Sequence, residues 1–407
     1  MIPQSGNHAP LMAAFCDSLV AVRPSRADGE TETGSANRAR NEMGAWRGRL
    51  AEGAGPAYRG VMIALRRVLP SCAAVAIALG ALAVEFRAPP ARADDVAVFE
   101  AVRAADMRLA TVGWRLAAAN RALCDRIEAG TGLQVHTLDQ YDAAKRDSAA
   151  RHFGFATPVA VEGVFAGSPA EQAGVRADDS LVRIGRVEIG KLSGKPGTTD
   201  RLVAAQLAIA VLPADAPIEV DVVRGGKPLH LTIRPIPVCK TRFELVYNDD
   251  FTASAEGVMV KIGSGFLEYP DDQFAAVVAH EFSHNILHHR DRLKARGVDF
   301  GMLSGLGANV KYFRQTEVQA DLLSVYLLTN AGYPSQAPAA FWKRFGPSKA
   351  GGILRSRSHP AWRDRVTTLE AEAAKVTALS ARPLVPGLIA DRDKPLDGDW
   401  QSILVRK

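Results

Sequence analysis

Ala279-His280-Glu281-Phe282-Ser283-His284 is the stretch on which the reading of this chain turns. On a helix, positions i and i+4 lie one above the other, so the imidazoles of His280 and His284 can meet one metal ion. Glu281 sits one residue along and faces the open side of that ion, where it can accept a proton from a water. Zinc suits two imidazoles and a carboxylate and keeps a fourth position for water. The alternative is a surface helix that carries His and Glu by chance. Its flanks argue otherwise. Phe274, Val277 and Val278 precede the motif, and Phe282, Ile286 and Leu287 surround it. Such a helix is largely buried, and histidines in it need partners.

A third ligand is required. Position 290 is Arg, so no histidine follows His284 by six residues and the metzincin spacing is absent. Further on comes Thr316-Glu317-Val318-Gln319-Ala320-Asp321. Glu317 and Asp321 are i and i+4 on a helix, so one carboxylate can bind zinc while the other orients a ligand histidine from behind. Ala320, Leu322, Leu323 and Val325 around them read as buried, which weakens the alternative of an ordinary acidic face.

His-Glu-x-x-His followed by Glu-x-x-x-Asp resembles the M48 metallopeptidases, a gluzincin family that includes the CAAX prenyl endopeptidase and bacterial envelope quality-control proteases. Other words agree: Gly265-Phe266-Leu267, His289, Ala331-Gly332-Tyr333, Ser358-His359-Pro360 and Arg365-Val366. The resemblance implies one zinc held by His280, His284 and Glu317, with Asp321 behind a ligand and Glu281 as general base. It also implies that His359 or Arg365 approaches the site and steadies an oxyanion, the alternative being that they only join a third helix to the core. Thr252-Ala253-Ser254-Ala255 departs from relatives, which often have Asn first, and leaves the pose of that strand open. The strand at Val258–Ile262 is expected to accept substrate as an added strand.

Upstream, from about Phe153 to Val238, the texture changes to short β-branched runs broken by Gly and Pro. Val159–Phe165, Ser180–Ile184, Pro217–Val223 and Leu229–Ile233 read as strands, Ala170–Ala173 and Thr199–Ala210 as helices, and Gly225-Gly226 as a hairpin turn. Gly163-Val164-Phe165-Ala166-Gly167-Ser168-Pro169-Ala170, with Asp179-Ser180-Leu181-Val182, resembles a PDZ domain of the bacterial protease-associated type. Asp178-Asp179 stands where that family usually has Gly-Asp. The resemblance implies capture of an extended peptide or its C-terminus, with His152, Phe153, Gly154 and Phe155 as the carboxylate-binding loop; the plainer alternative is that these residues only begin the first strand.

An M48 core usually opens with a helix, and 94–128 reads as one through Val98, Val102, Leu109, Val112, Leu116 and Leu123. The PDZ-like segment is then an insertion flanked by Cys124 and Cys239. A disulfide between them is expected in an oxidising compartment, the alternative being two buried thiols. The expected fold is α+β: a mainly helical gluzincin core with a small sheet, plus an inserted β-rich PDZ domain. Its parts are the initial helix in 94–149, the PDZ domain in 150–238, the peptidase domain in 239–381 and a tail in 382–407. Helices are expected at Gln273–His289, Phe313–Asn330 and from Pro338.

The amino terminus reads as an address. Met62-Ile63-Ala64-Leu65-Arg66-Arg67, an apolar run to Val84 and Ala91-Arg92-Ala93 describe a secretory signal in 62–93, cleaved or kept as an anchor. Residues 1–61 lack periodicity and read as disordered or as lying before the true start at Met62. The formal charge is +6, yet residues 1–93 hold 11 Arg and no Lys against 7 acidic residues, leaving a surplus of only 2 for the rest. That excludes a nucleic-acid partner as the reason for the basic balance. Composition, with 47 % hydrophobic and 23 % charged residues, is that of an ordinary globular protein. The combined expectation is a periplasmic zinc endopeptidase acting on protein or peptide substrates, touching membrane only through its signal or anchor. The rival is a PDZ adaptor or holdase with a structural or latent metal site. Whether Gly297–Gly307 forms a lid is left open.

Overall fold

Helix α1 (Ala93–Ala119) turns Leu109, Val112 and Leu116 into the same core as Val260, Ile262, Phe274, Phe282, Leu323 and Leu327. The computed structural model describes residues 93–405, apart from 249, 299–306 and 350–358. The leader, the signal segment, most of Gly297–Gly307 and Ser358 therefore lie outside the described residues. Among the described residues no helix is long and apolar enough to cross a membrane.

The helix expected over 94–128 stops earlier. Asn120 caps it by donating its side-chain amide to the carbonyls of Leu116 (2.9 Å) and Leu327 (3.0 Å), so the chain cannot continue straight. After a turn at Arg121–Leu123 it becomes extended as β1 (Ile127–Gly130) and β2 (Leu133–Thr137). The next elements are α2 (Arg146–His152), β3 (Val159–Val164), α3 (Pro169–Gln172), β4 (Ser180–Ile184) and α4 (Asp200–Ala210). They are followed by β5 (Ile218–Arg224), β6 (Lys227–Ile233) and β7 (Ile236–Cys239). Gly225 and Gly226, both at positive φ, make the two-residue turn between β5 and β6 that suits the twist of a hairpin.

Strands β2-β3-β4-β5-β6 form one antiparallel sheet, in that order. It encloses its own core, with Val159, Val161, Leu181, Ile184, Val220 and Ile233. β1 pairs with β7 as a separate antiparallel ribbon that sets Ile127 opposite Cys239. Cys124 and Cys239 are joined by a disulfide across a sequence separation of 115 residues. Ribbon and disulfide together close the neck of the segment between α1 and the rest of the helical body.

Beyond the neck come β8 (Arg242–Val246), β9 (Ala253–Ala255), β10 (Met259–Gly263), α5 (Asp271–Ile286), α6 (His289–Ala295), α7 (Val310–Asn330), α8 (Ala337–Lys349) and α9 (Trp362–Thr377). The small sheet runs β8-β10-β9, with β10 parallel to β8 and antiparallel to β9. The molecule is α+β, with helices and sheets in separate layers. Helix α5 is shorter than the span expected to His289. His288 takes a left-handed φ of 53°, and that residue breaks the run into α5 and α6.

Candidate metal centre

Helix α5 buries Phe274, Val278, Phe282 and Ile286 and leaves His280 and His284 on its remaining face, opposite α7. Their Nε2 atoms are 3.2 Å apart. Glu317, on α7, brings Oε2 to 3.4 Å from His280 Nε2 and Oε1 to 3.5 Å from His284 Nε2. The three residues form the one cluster of metal-binding type among the described residues. Two ligands of a tetrahedral zinc, each about 2.0–2.1 Å from the metal, lie about 3.3–3.4 Å from one another. The two imidazole nitrogens, 3.2 Å apart, and the Glu317 carboxylate, which sets one oxygen 3.4 Å from His280 and the other 3.5 Å from His284, lie close to that spacing, so the donor set is of the type and approximate placement that zinc takes.

The electrostatics suit a cation. Burial opposes ionisation of Glu317, but His359, His280 and His284 outweigh it and hold its carboxyl well below the ordinary range. Burial pushes His284 down to about 4, so its ring is neutral and has a lone pair to give. Burial also opposes charge on His280, yet Asp321 and Glu317 raise it to about 10, so a cation must displace a proton there. His280 Nδ1 lies 3.1 Å from Asp321 Oδ1 but is not aligned for a hydrogen bond, so that contact is electrostatic. Glu281 is half-buried and lines the same cleft as His280, His284 and Glu317. Burial pushes its carboxyl up to about 7, with Glu317 adding to the shift and His280 and Arg365 opposing it. That is the range in which a general base is effective.

His359 and Arg365 reach the site in different ways. His359 Nε2 stands 3.5 Å from Glu317 Oε2 at the cleft mouth, its side chain 39 % exposed. Arg365, 1 % exposed, donates through Nε and Nη2 to the two oxygens of Asp321, each at 2.6 Å, and lies 3.7 Å from the ring centroid of Trp342. A guanidinium held this way fixes the Asp321 carboxylate beside His280. Two of its five donors serve Asp321, and Nη2 also stands 3.6 Å from Glu317 Oε2.

A cleft of about 660 Å³ runs over these residues. Its walls are Ala253 and Ala255 of β9, aromatic side chains such as Phe251, Phe341 and Trp362, and Trp400 from the carboxyl-terminal segment. Sequence reasoning missed Trp400; it lies far along the chain in a stretch without periodicity. The expectation that Val258–Ile262 accepts an added strand is also corrected. β10 is paired on both sides, whereas β9 has one free edge.

His152, Phe153, Gly154 and Phe155 do not form a carboxylate-binding loop. The amide of Phe153 donates to Ala149 O (2.9 Å) and that of Phe155 to Ala150 O (3.0 Å), closing the end of α2 around Gly154 at φ 64°. Phe153 is 1 % exposed, packed among Phe99, His136, Tyr141 and Phe155 with the Arg103 guanidinium 4.4 Å from its ring centroid. The five-stranded sheet ends in two edge strands, β2 on one side and β6 on the other. A smaller cavity of about 130 Å³ runs beside β2, between Gly130–Gly132, α4 and α1. Gly130 and Gly132 line it.

No protein-family model matches the sequence. No curated protein matches it either. Among solved structures, an HtrA-type protease AlgW with decapeptide aligns at 20 % identity with a TM-score of 0.20, covering 27 % of this chain and 30 % of that one. The chain thus spans under a third of that protein.

Proposed function

We propose that this chain is a zinc-dependent endopeptidase, similar to the M48 metallopeptidases, whose five-stranded segment is a PDZ domain. We further propose that it works in an oxidising bacterial envelope compartment, reached through the signal at 62–93. The observation that carries the reading is the convergence of His280 Nε2, His284 Nε2 and the Glu317 carboxylate, with Glu281 lining the same cleft. When bound, zinc supplies Lewis acidity, which lowers the pKa of a water and polarises a scissile carbonyl. Glu281 takes the proton that water gives up and passes it to the leaving amine. His359, at the mouth, can donate a hydrogen bond to charge developing on the carbonyl oxygen. Asp321 and Arg365 keep His280 and Glu317 in place.

The free edge of β9 supports binding of the substrate as an extended strand, held by backbone hydrogen bonds beside an aromatic wall. The free edge of β2 supports capture of a second extended segment or C-terminus by the PDZ domain. Proteins with exposed chain ends, such as misfolded envelope proteins, are the substrate class that both edges suit. The competing reading is an adaptor or holdase with a structural metal. Glu281 opposes it, because a structural site has no use for a base in this position. Unfolded casein incubated with the zinc-loaded protein tests the reading. Cleavage that a chelator abolishes and added zinc restores supports the peptidase, and intact casein in every arm contradicts it.

A further inference from the structure

Two buried polar side chains, His289 and Arg292, are not used by the reaction above. His289 follows His284 by five residues, which on a continuous helix places it about 140° around the axis. The break at His288 reverses this and brings His289 Nδ1 to 2.9 Å from His284 Nδ1. On its other side, His289 Nε2 is 3.1 Å from Gln319 Oε1. Arg292 Nη1 donates to the same oxygen at 3.1 Å, and Arg292 Nε donates to the carbonyl of Lys394 at 2.9 Å. The carboxyl-terminal segment also reaches the break itself, with Asp393 Oδ1 2.9 Å from His288 Nδ1.

The direction of every bond in this chain follows from one group. Arginine can only donate, so the Gln319 atom facing it is the amide oxygen. That oxygen only accepts, so His289 carries its proton on Nε2. The Nδ1 of neutral His289 is then an acceptor, and His284 must donate from its own Nδ1. The lone pair on His284 is left on Nε2, the atom that faces His280 and Glu317. We infer that His289, Gln319 and Arg292 are positioning residues that fix His284 in its metal-binding tautomer, and that the carboxyl-terminal segment anchors them through the Lys394 carbonyl. This inference rests on the metal reading of the site.

Zinc affinity of the full chain, titrated against a chromophoric chelator, tests it beside Gln319→Leu and Gln319→Glu. Outer hydrogen-bond partners of metal ligands are worth about 10–100-fold in affinity, so the Leu variant is expected to weaken zinc by that factor. The Glu variant keeps an acceptor for both donors and is expected to retain the unmodified affinity. Equal affinity in all three proteins overturns the inference. Equal weakening in both variants also overturns it, by marking the side chain as packing alone. An unmodified protein that binds no zinc overturns the metal reading, and this inference with it. Should the Leu variant not fold, ring nitrogen spectra of the unmodified protein labelled with 15N-histidine decide: a proton on Nδ1 of His284 and on Nε2 of His289 supports the inference, and the reverse pattern refutes it.

Discussion

Arg365 and Asp321 form a two-point ion pair in the interior, with Nε and Nη2 each 2.6 Å from a carboxylate oxygen and both side chains almost wholly buried. The same carboxylate stands beside His280, and the same guanidinium lies 3.6 Å from Glu317 Oε2. The pair therefore supports two of the three proposed metal ligands at once. Burial opposes ionisation of Asp321, but Arg365 and His280 outweigh it and keep its carboxyl below the ordinary value.

Removing Arg365 leaves the Asp321 carboxylate buried beside the His280 ring without its two-point partner. Arg365→Met is expected to destabilise the protein by about 3–5 kcal/mol, the usual effect of breaking a buried pair. Urea denaturation measures it. A loss under about 1 kcal/mol would show that the pair is solvated, as exposed pairs are.

The disulfide Cys124–Cys239 spans 115 residues. Closing a loop of that length removes about 5 kcal/mol of chain entropy from the unfolded state, and measured losses for native disulfides are about 2–5 kcal/mol. Reduction, or the double variant Cys124→Ala with Cys239→Ala, is expected to lower stability within that range. The β1–β7 ribbon remains, so the fold should persist. Circular dichroism during denaturation, with and without reductant, measures both.

A buried acidic pair makes stability depend on pH. Glu162 on β3, 6 % exposed, is pushed up to about 8 by burial and then by the Asp106 carboxylate on α1, against Gln134 and Arg103. Asp106 is itself raised to about 6 by burial, although the Tyr247 hydroxyl donates to it at 2.9 Å. Folded-state values above the ordinary ones mean that the folded protein binds more protons than the unfolded one. Stability from these groups is therefore present at low pH and falls as pH rises from about 4 toward about 8, with a slope of at most about 1.4 kcal/mol per pH unit for each proton. Glu162→Gln is expected to flatten the fall between pH 5 and pH 8. An unchanged profile would contradict the assignment.

The free edge of β9 can be tested with one atom. Glu256 N donates to Met259 O, and Gly263 N donates to Thr252 O. By alternation the amides of Ala253 and Ala255 point away from β10. Ala255→Pro then deletes an edge donor without breaking the ladder. A net hydrogen bond of about 0.5–1.5 kcal/mol corresponds to a loss of about twofold to thirteenfold in kcat/KM for casein, with zinc content unchanged. Unaltered kcat/KM would place the substrate elsewhere in the cleft.

What the sequence made legible is what local geometry determines. His280 and His284 are one helical turn apart, and Glu317 and Asp321 likewise, so each pair could be read without knowing the fold. The hairpin at Gly225-Gly226 and the strands at 159–164 and 180–184 carry their own turn and alternation signals. Strands β1 and β2 did not. Ile127–Gly130 and Leu133–Thr137 are short, at four and five residues, so the alternation in Leu133–Thr137 did not stand out, and they are extended through pairing with the distant β7 and with β3. The role given to Phe153 failed because a helix end, invisible in the apolar run, already uses its amide. The approach of His289 to His284 depends on a left-handed residue that is a histidine instead of a glycine, and so gave no sequence signal. Trp400 enters the cleft only through the path of the carboxyl-terminal segment.

The most direct test compares zinc content and casein hydrolysis of the protein with those of its Glu281→Gln variant. Glu281 holds no metal in this account, so about one zinc per chain is expected in both. Hydrolysis should fall at least about a hundredfold in the variant, the lower range of a general base's contribution. Equal hydrolysis by both proteins, or zinc lost with Glu281 alone, would contradict its assignment as the base beside a three-residue metal site.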